Sequence, residues 1–426
     1  MNNKILFLVD HKHRDLPGLS LIGFYLKNIG YKVFYRQVWD TKHLYFDPSI
    51  IIIPKANNGS KDFINRCNKW RESGIKLIVI ETEGNEPWTP AKKVMNTAPD
   101  LFFFWNNVEQ KKHENFLKKN NVKSKVIGYP RLDFFHPFLF KKLNDRKKII
   151  NELGINDSLK TITVTTNNSY EGLSDENIKL KRKRYSEVYE KCDFDKRLEF
   201  MKDVRRTNIH YIKYLAEKYN NYNIILKPHP NENIEFWEDF IRKYPNIKLM
   251  IGKNINDLLS VSDLHVGMTI CLTVTESKLL NIPTIELIPL NFKTEEMFHM
   301  DHIGLGDYCV DSEKKFDEAI LNGLNSANKQ LNINEYISKY YFKFDGKRCE
   351  DYAKSIDSYF KDNGLGGFSS PQLIKSFDYF LYNLKKVKNS IFQSGSQIDK
   401  RGRFDNRIKK GDETEWYNIY QKNITA

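Results

Sequence analysis

The sequence predicts an α/β protein of two successive parallel-sheet domains followed by a helical C-terminal segment. Three observations predict it. Short apolar runs alternate with single amphipathic helices, the pattern of parallel strands joined by right-handed crossovers. That alternation stops near Phe140 and restarts after a basic helix at residues 141–153. A chain of 426 residues also exceeds one ordinary core. The boundaries read as 1–140, 141–345 and 346–426.

Residues 4–9 form the first strand. A helix follows over about 19–29, closed by Gly30, and residues 31–35 make the next strand. The third strand lies within 47–54, and a helix over 61–73 ends at Gly74. Strands at 75–81 and 101–105, a helix at 113–120 and a strand at 125–128 complete this half. In the second half, strands are expected at 161–166, 224–227, 247–251, 264–266 and 284–287, with a long polar helical stretch over 175–218. Residues 333–360 read as helices that pack back on the body. Beyond Gly364 the pattern weakens into a basic helix at 371–388 and a Gly/Ser/Arg-rich, disordered tail.

Composition narrows the class. No stretch approaches the roughly 20 apolar residues of a membrane span. Residues 1–10 read as a strand rather than a signal peptide, being short and interrupted by Asp10. Cys67, Cys192, Cys271, Cys309 and Cys349 show no CxxC spacing, which suits a reducing cytoplasm and argues against structural zinc. The net charge of +14 concentrates in residues 179–184 and 375–410, without a nucleic-acid-binding signature. It suits a nucleotide substrate or an anionic membrane face, or is simply a solvated lysine-rich surface.

Two segments of the second half carry the strongest signal. Asn223-Ile-Ile-Leu-Lys-Pro-His-Pro230 is a buried strand ending at Lys227 and His229. Residues 263–286 run from a strand through Thr269, Thr273 and Thr275 into a short helix and another strand. Ligands of open α/β sheets bind beyond the carboxyl ends of strands, and a helix N-terminus favours phosphate. In the first half, Glu81-Thr-Glu-Gly84 ends a strand where a carboxylate could act as base or nucleophile; a capping or loop acid is the plainer alternative. Gly128-Tyr-Pro-Arg-Leu-Asp133 offers Arg131 as a bidentate clamp and Asp133 as a second acid, or else a surface pair ordering a linker. Asp301-His302 is a weak metal signal.

Together, Gly-Tyr-Pro-Arg-x-Asp, Lys-Pro-His-Pro, the Thr-Val-Thr-Glu-Ser-Lys-Leu-Leu-Asn-Ile-Pro-Thr-Ile run and Tyr341-Phe-Lys-Phe-Asp-Gly-Lys-Arg348 resemble bacterial surface-polysaccharide GT-B glycosyltransferases. The resemblance is to retaining Kdo transferases and, more distantly, to CDP-glycerol glycerophosphotransferases and bacterial sialyltransferases. It covers about residues 1–360. It implies two Rossmann-like domains facing across a cleft, with the acceptor and the catalytic acids on the first and the nucleotide sugar on the second. By resemblance His229 contacts the cytidine monophosphate of the donor, and Thr273, Thr275 and Ser277 its phosphate. Glu276 takes ribose hydroxyls, Lys227 and Arg131 line the donor site, and Glu83 and Asp133 are the catalytic acids. Glu81 competes with Glu83.

The implied function is transfer of a CMP-linked ulosonic acid, Kdo or a nonulosonate, to a cell-surface glycan. The implied partners are a CMP-sugar donor, a lipid-linked or oligosaccharide acceptor and an anionic inner-membrane surface, with no nucleic acid. No cofactor or metal is expected, since a monophosphate leaving group needs less charge neutralisation than a diphosphate. The implied location is the cytoplasm, peripheral on the membrane. The alternatives are a polyol-phosphate or other nucleotide-sugar transferase, and a non-catalytic scaffold of the same fold.

Overall fold

A computed structural model describes residues 3–38, 48–56, 61–85, 95–167, 174–189, 193–230, 232–291, 293, 297–325, 332–365, 408–409 and 411–424. The first half runs β1 (Lys4–Val9), α1 (Lys12–Asn28), β2 (Lys32–Gln37), β3 (Ile50–Ile53), α2 (Lys61–Glu72), β4 (Lys76–Ile80), β5 (Leu101–Phe104), α3 (Asn107–Lys112), α4 (Glu114–Lys119) and β6 (Lys123–Val126). A 3-10 turn (Pro130–Phe135), α5 (Pro137–Leu143) and α6 (Arg146–Leu153) lead to the second half. There follow β7 (Thr161–Thr165), α7 (Asp175–Val188), α8 (Phe194–Lys218), β8 (Asn223–Lys227), α9 (Ile234–Ile241), β9 (Ile247–Leu249), α10 (Ile255–Ser260) and β10 (Leu264–Met268). Then come α11 (Leu272–Leu279), β11 (Thr284–Leu287), β12 (Tyr308–Val310), α12 (Glu313–Asn325), α13 (Asn334–Tyr340), α14 (Arg348–Asp362) and α15 (Asp412–Ile424).

Each half holds a six-stranded parallel sheet, in the orders β2-β1-β3-β4-β5-β6 and β12-β11-β10-β7-β8-β9. Strands such as Ile50–Ile53 are buried throughout, as expected where helices cover both faces. Strand order reverses between β1 and β3 in one sheet and between β7 and β10 in the other. Such reversals open a crevice at the carboxyl ends, because the flanking crossovers leave in opposite directions.

The C-terminal chain returns to the first sheet. α14 and α15 both pack on α1. Tyr420 donates to the Pro17 carbonyl at 2.9 Å, Tyr35 and Tyr417 share a hydroxyl contact at 2.7 Å, and Lys12 pairs with Asp412 at 2.8 Å. Asp133 seats the start of α14: its carboxylate accepts from the Arg348 and Cys349 amides at 2.9 and 2.7 Å. Tyr352 donates to the Gly128 carbonyl at 2.7 Å, and Arg348 to the Ile127 carbonyl at 2.7 Å. Gly128 has φ +105°, and a Cβ there would meet the Tyr341 carbonyl at 2.7 Å, so only glycine fits.

Two expectations change. α1 begins at Lys12, seven residues before the expected start, and runs through Pro17. His11 caps it, its Nδ1 accepting from the Arg14 amide at 3.3 Å. Residues 412–424, expected as tail, form α15, because Trp416, Tyr417 and Tyr420 recur at helical spacing and bury against α1. The expected basic helix at 371–388 and nearly all of the basic stretch at 375–410 lie outside the described residues.

Asp133→Ala is expected to lower unfolding stability by about 2 kcal/mol, the scale of a lost helix cap bonded to a charged group. Urea denaturation measures this.

Candidate active site

A cleft of about 250 Å³ lies between the carboxyl ends of the two sheets. Its wall includes Arg14, Glu83, Trp105 and Tyr129 from the first half and His229, Ile270, Thr275, His302, Tyr336 and Tyr341 from the second.

On the first-domain side, the crevice between β1 and β3 is crossed by Lys55, 3.1 Å from Asp10 and 3.2 Å from Glu83. Arg14, on the first turn of α1, pairs with Asp10 at 3.2 Å, with Asp15 at 2.6 Å and with Glu83. Burial pushes the Asp10 carboxyl up, but Lys55 and Arg14 outweigh it and hold it below the usual range. Glu83 is the accessible carboxylate of this cluster, its side chain half exposed. Glu81 is buried and serves the fold, accepting from the Ala56 amide at 3.1 Å. Gly84 lets Trp105 lie against the strand end; a Cβ there would stand 2.3 Å from the indole. Trp105 Nε1 donates to the Glu81 carbonyl at 2.8 Å.

On the second-domain side, His229 follows β8. Its amide faces Thr166 Oγ1 at 3.3 Å and Glu232 Oε1 at 3.2 Å, and Glu232 also accepts from Trp237 Nε1 at 2.6 Å. Burial, helped by Arg14, lowers the imidazole pKa to about 4, so it is neutral at pH 7. Lys181, from the basic run on α7, is one of the other cations acting on it. Lys227 donates to the Lys253 carbonyl at 2.7 Å, and burial with Arg131 nearby brings its pKa down to about 8.

α11 is tethered residue by residue. Thr273 contacts Thr165 Oγ1 at 2.8 Å, and Thr165 contacts His265 Nε2 at 3.0 Å. His265 Nδ1 meets Ser277 Oγ at 2.9 Å, and Ser277 meets Thr284 Oγ1 at 2.8 Å. Lys278 forms a buried pair with Asp307. Glu276 pairs with Arg131 Nε at 3.0 Å. Just before the helix, Ile270 adopts φ +61°, a conformation costly for a β-branched residue, on the order of 1–3 kcal/mol. The turn aims the start of α11 at the cleft.

The expected residues therefore separate. Glu83, His229 and Thr275 share the cleft. Asp133 does not join them, because both its oxygens serve the α14 amides. Burial raises its pKa to about 6 against those bonds. Thr273 and Ser277 turn their hydroxyls to neighbours behind the helix rather than to the cleft. Arg131 and Glu276 engage each other across the domain junction. Arg14, Lys55 and Tyr129 went unforeseen. The signal for Arg14 was the polar run Asp10-His-Lys-His-Arg-Asp15 directly after an apolar strand.

No protein-family model matches the chain, and no curated protein matches it in sequence. Among solved structures it is similar to the wall teichoic acid polymerase TagF soaked with CDPG, at 14% identity and TM-score 0.54, covering 85% of this chain and 90% of that one. It is also similar to a putative UDP-N-acetylglucosamine 2-epimerase from Listeria monocytogenes, at 11% identity and TM-score 0.51, covering 88% and 100%. This likeness establishes the fold: GT-B, two Rossmann-like domains facing across a cleft.

Burial lifts the Glu276 pKa to about 7 even against Arg131 and Lys227. A carboxyl raised on folding contributes stability below its unfolded value, near 4.5, and loses it as pH rises through 7. Glu276→Gln is therefore expected to lose less stability than wild type between pH 5 and 7, read from urea midpoints across that range.

Proposed function

We propose that the protein is a nucleotide-dependent transferase that releases CMP, moving a CMP-linked ulosonic acid (Kdo or a nonulosonate) to a cell-surface glycan. The observation that carries this reading is the meeting of Glu83, His229 and the approach to α11 in one cleft at the switch points of two sheets. The α11 amides and Thr275 hydroxyl suit the phosphate of the leaving CMP. An arriving phosphate raises the His229 pKa, opposing the burial that keeps it neutral. The acceptor hydroxyl attacks the anomeric carbon, its proton passes to Glu83, and the bond to CMP breaks with its electron pair on the phosphate. Arg14 and Lys55 hold the Glu83 carboxylate in place.

Likeness to TagF, a teichoic acid polymerase soaked with CDPG, favours a second reading, a polyol-phosphate transferase. There the acceptor attacks phosphorus instead, and CMP again departs. A panel of CMP-Kdo, a CMP-nonulosonate, CDP-glycerol and UDP-sugars, with ³¹P NMR of the product, separates them: only the second puts phosphorus into the acceptor. Absence of any cytidine nucleotide binding overturns both, and absence of binding to every nucleotide in the panel leaves the fold as a scaffold.

His229→Ala is expected to weaken CMP binding by about 1.5–3 kcal/mol in calorimetry. Glu83→Gln should lower kcat by about 100-fold or more while leaving that affinity nearly unchanged.

Among the described residues no helix is long and apolar enough to cross a membrane. A lipid-linked acceptor would bring the protein to the inner leaflet, and residues 385–410 supply lysines and arginines worth roughly 1 kcal/mol each near anionic lipid. Replacing them with serine, keeping α15 intact, should abolish low-salt flotation with phosphatidylserine vesicles. Equal flotation of both proteins removes this stretch from membrane binding.

A further inference from the structure

α7 carries the basic run of residues 179–184, five cations around Leu180, and none of its described side chains is buried. Helical spacing divides it into two faces. Ile178, Lys181, Arg182 and Tyr185 face the protein. Ile178 and Tyr185 pack against the second-domain core, Arg182 pairs with Asp195, and Lys181 acts on His229 of the cleft. Lys179, Leu180, Lys183 and Arg184 form the other face and are all exposed, Leu180 by 54%. The side chains of these three cations make no ion pair or hydrogen bond with a described residue. Glu176 and Glu187 flank the face one turn away at either end, which leaves its centre cationic around one apolar side chain. Like charges a turn apart repel, a cost that an anionic partner relieves.

This face sits at the rim of the cleft. α7 follows β7 at the carboxyl end of the second sheet, on the side where His229 follows β8. Across the cleft, the basic stretch at 385–410 rejoins the described chain at Ile408, whose amide donates to Gln37 Oε1 at 3.2 Å at the end of β2. Gln37 in turn donates to the Asp10 carbonyl at 2.7 Å, and Asp10 pairs with Arg14. An open cationic face with a projecting leucine matches lipid headgroups, whose phosphates meet the lysines while the leucine reaches the acyl boundary.

We infer that the outer face of α7 docks on an anionic lipid bilayer and turns the mouth of the cleft toward it. The inference rests on the transferase reading for what the cleft meets there, a lipid-linked acceptor, and adds to it a surface and an orientation. Two weak membrane contacts hold jointly what neither holds alone, so α7 acts beside the contact proposed for residues 385–410.

Co-sedimentation of the full chain with phosphatidylglycerol–phosphatidylcholine vesicles tests it. Residues 385–410 are kept in every protein, so differences read α7 alone. Lys179→Gln, Lys183→Gln and Arg184→Gln together should weaken binding about ten-fold or more at low salt. Leu180→Gln should weaken it roughly three-fold at salt high enough to screen the lysines. Lys119→Gln, Lys141→Gln and Lys147→Gln together remove the same charge from exposed positions on α4, α5 and α6 and should bind as wild type. The inference is overturned if either α7 variant binds vesicles as wild type does, if the charge-matched control weakens as much, or if wild type binds soluble polyphosphate but no vesicle. Calorimetry with CMP keeps the two readings apart. The α7 triple variant should bind CMP as wild type does; an equal loss there assigns these cations to the nucleotide and overturns the inference. CMP binding without vesicle binding sinks this inference alone; vesicle binding through α7 without CMP binding or turnover sinks the transferase reading.

Discussion

The carboxylate of Asp133 is the contact on which the arrangement of this molecule turns. It sits at the end of the first half and holds the first amides of α14, a helix more than 200 residues later. Those amides are buried, and without an acceptor they would oppose the packing of α14 on α1. The same six-residue stretch gives Tyr129 to the cleft wall and sends Arg131 across to Glu276. Position 128 must be glycine for the later chain to pass. One short segment thus orders the cleft, the domain junction and the returning C-terminus.

Behind the cleft the second domain is rigid for a different reason. Thr273, Glu276, Ser277 and Lys278 each spend their polar atoms on the body of the protein, so α11 has little freedom to shift. His265, fully buried between Thr165 and Ser277, links two strands to that helix through one imidazole. The strained turn at Ile270 persists because its surroundings determine it from both sides. A site held this way meets a ligand already shaped, with less ordering left to be done on binding.

Much of this was legible in the chain. Apolar runs such as Ile50–Ile53 and the β8 strand announced parallel sheets, and the carboxyl ends of those strands announced where the cleft lies. The segments singled out as Glu81-Thr-Glu-Gly84 and Lys227-Pro-His229 do open on one cleft. What sequence could not resolve was direction. On an eight-residue helix, Thr275 and Ser277 are two positions apart and point to opposite sides, so a motif read as one hydroxyl cluster divides into cleft and interior. Asp133 looked like an active-site acid because its partners lie in a distant segment. Arg14 was hidden by Pro17, which argues against a helix starting before it.

The return of α14 and α15 to α1 also bears on how the chain is made. Ser20 and Tyr420 meet at 3.1 Å although 400 positions separate them, and α1 buries one side against helices that leave the ribosome long after it. The second sheet uses only strands between residues 161 and 310, so it can close while translation continues. The side of α1 that α14 and α15 bury stays uncovered until they emerge. The first half therefore finishes after the second, and during that interval its apolar helix face is open to chaperones or to another nascent chain.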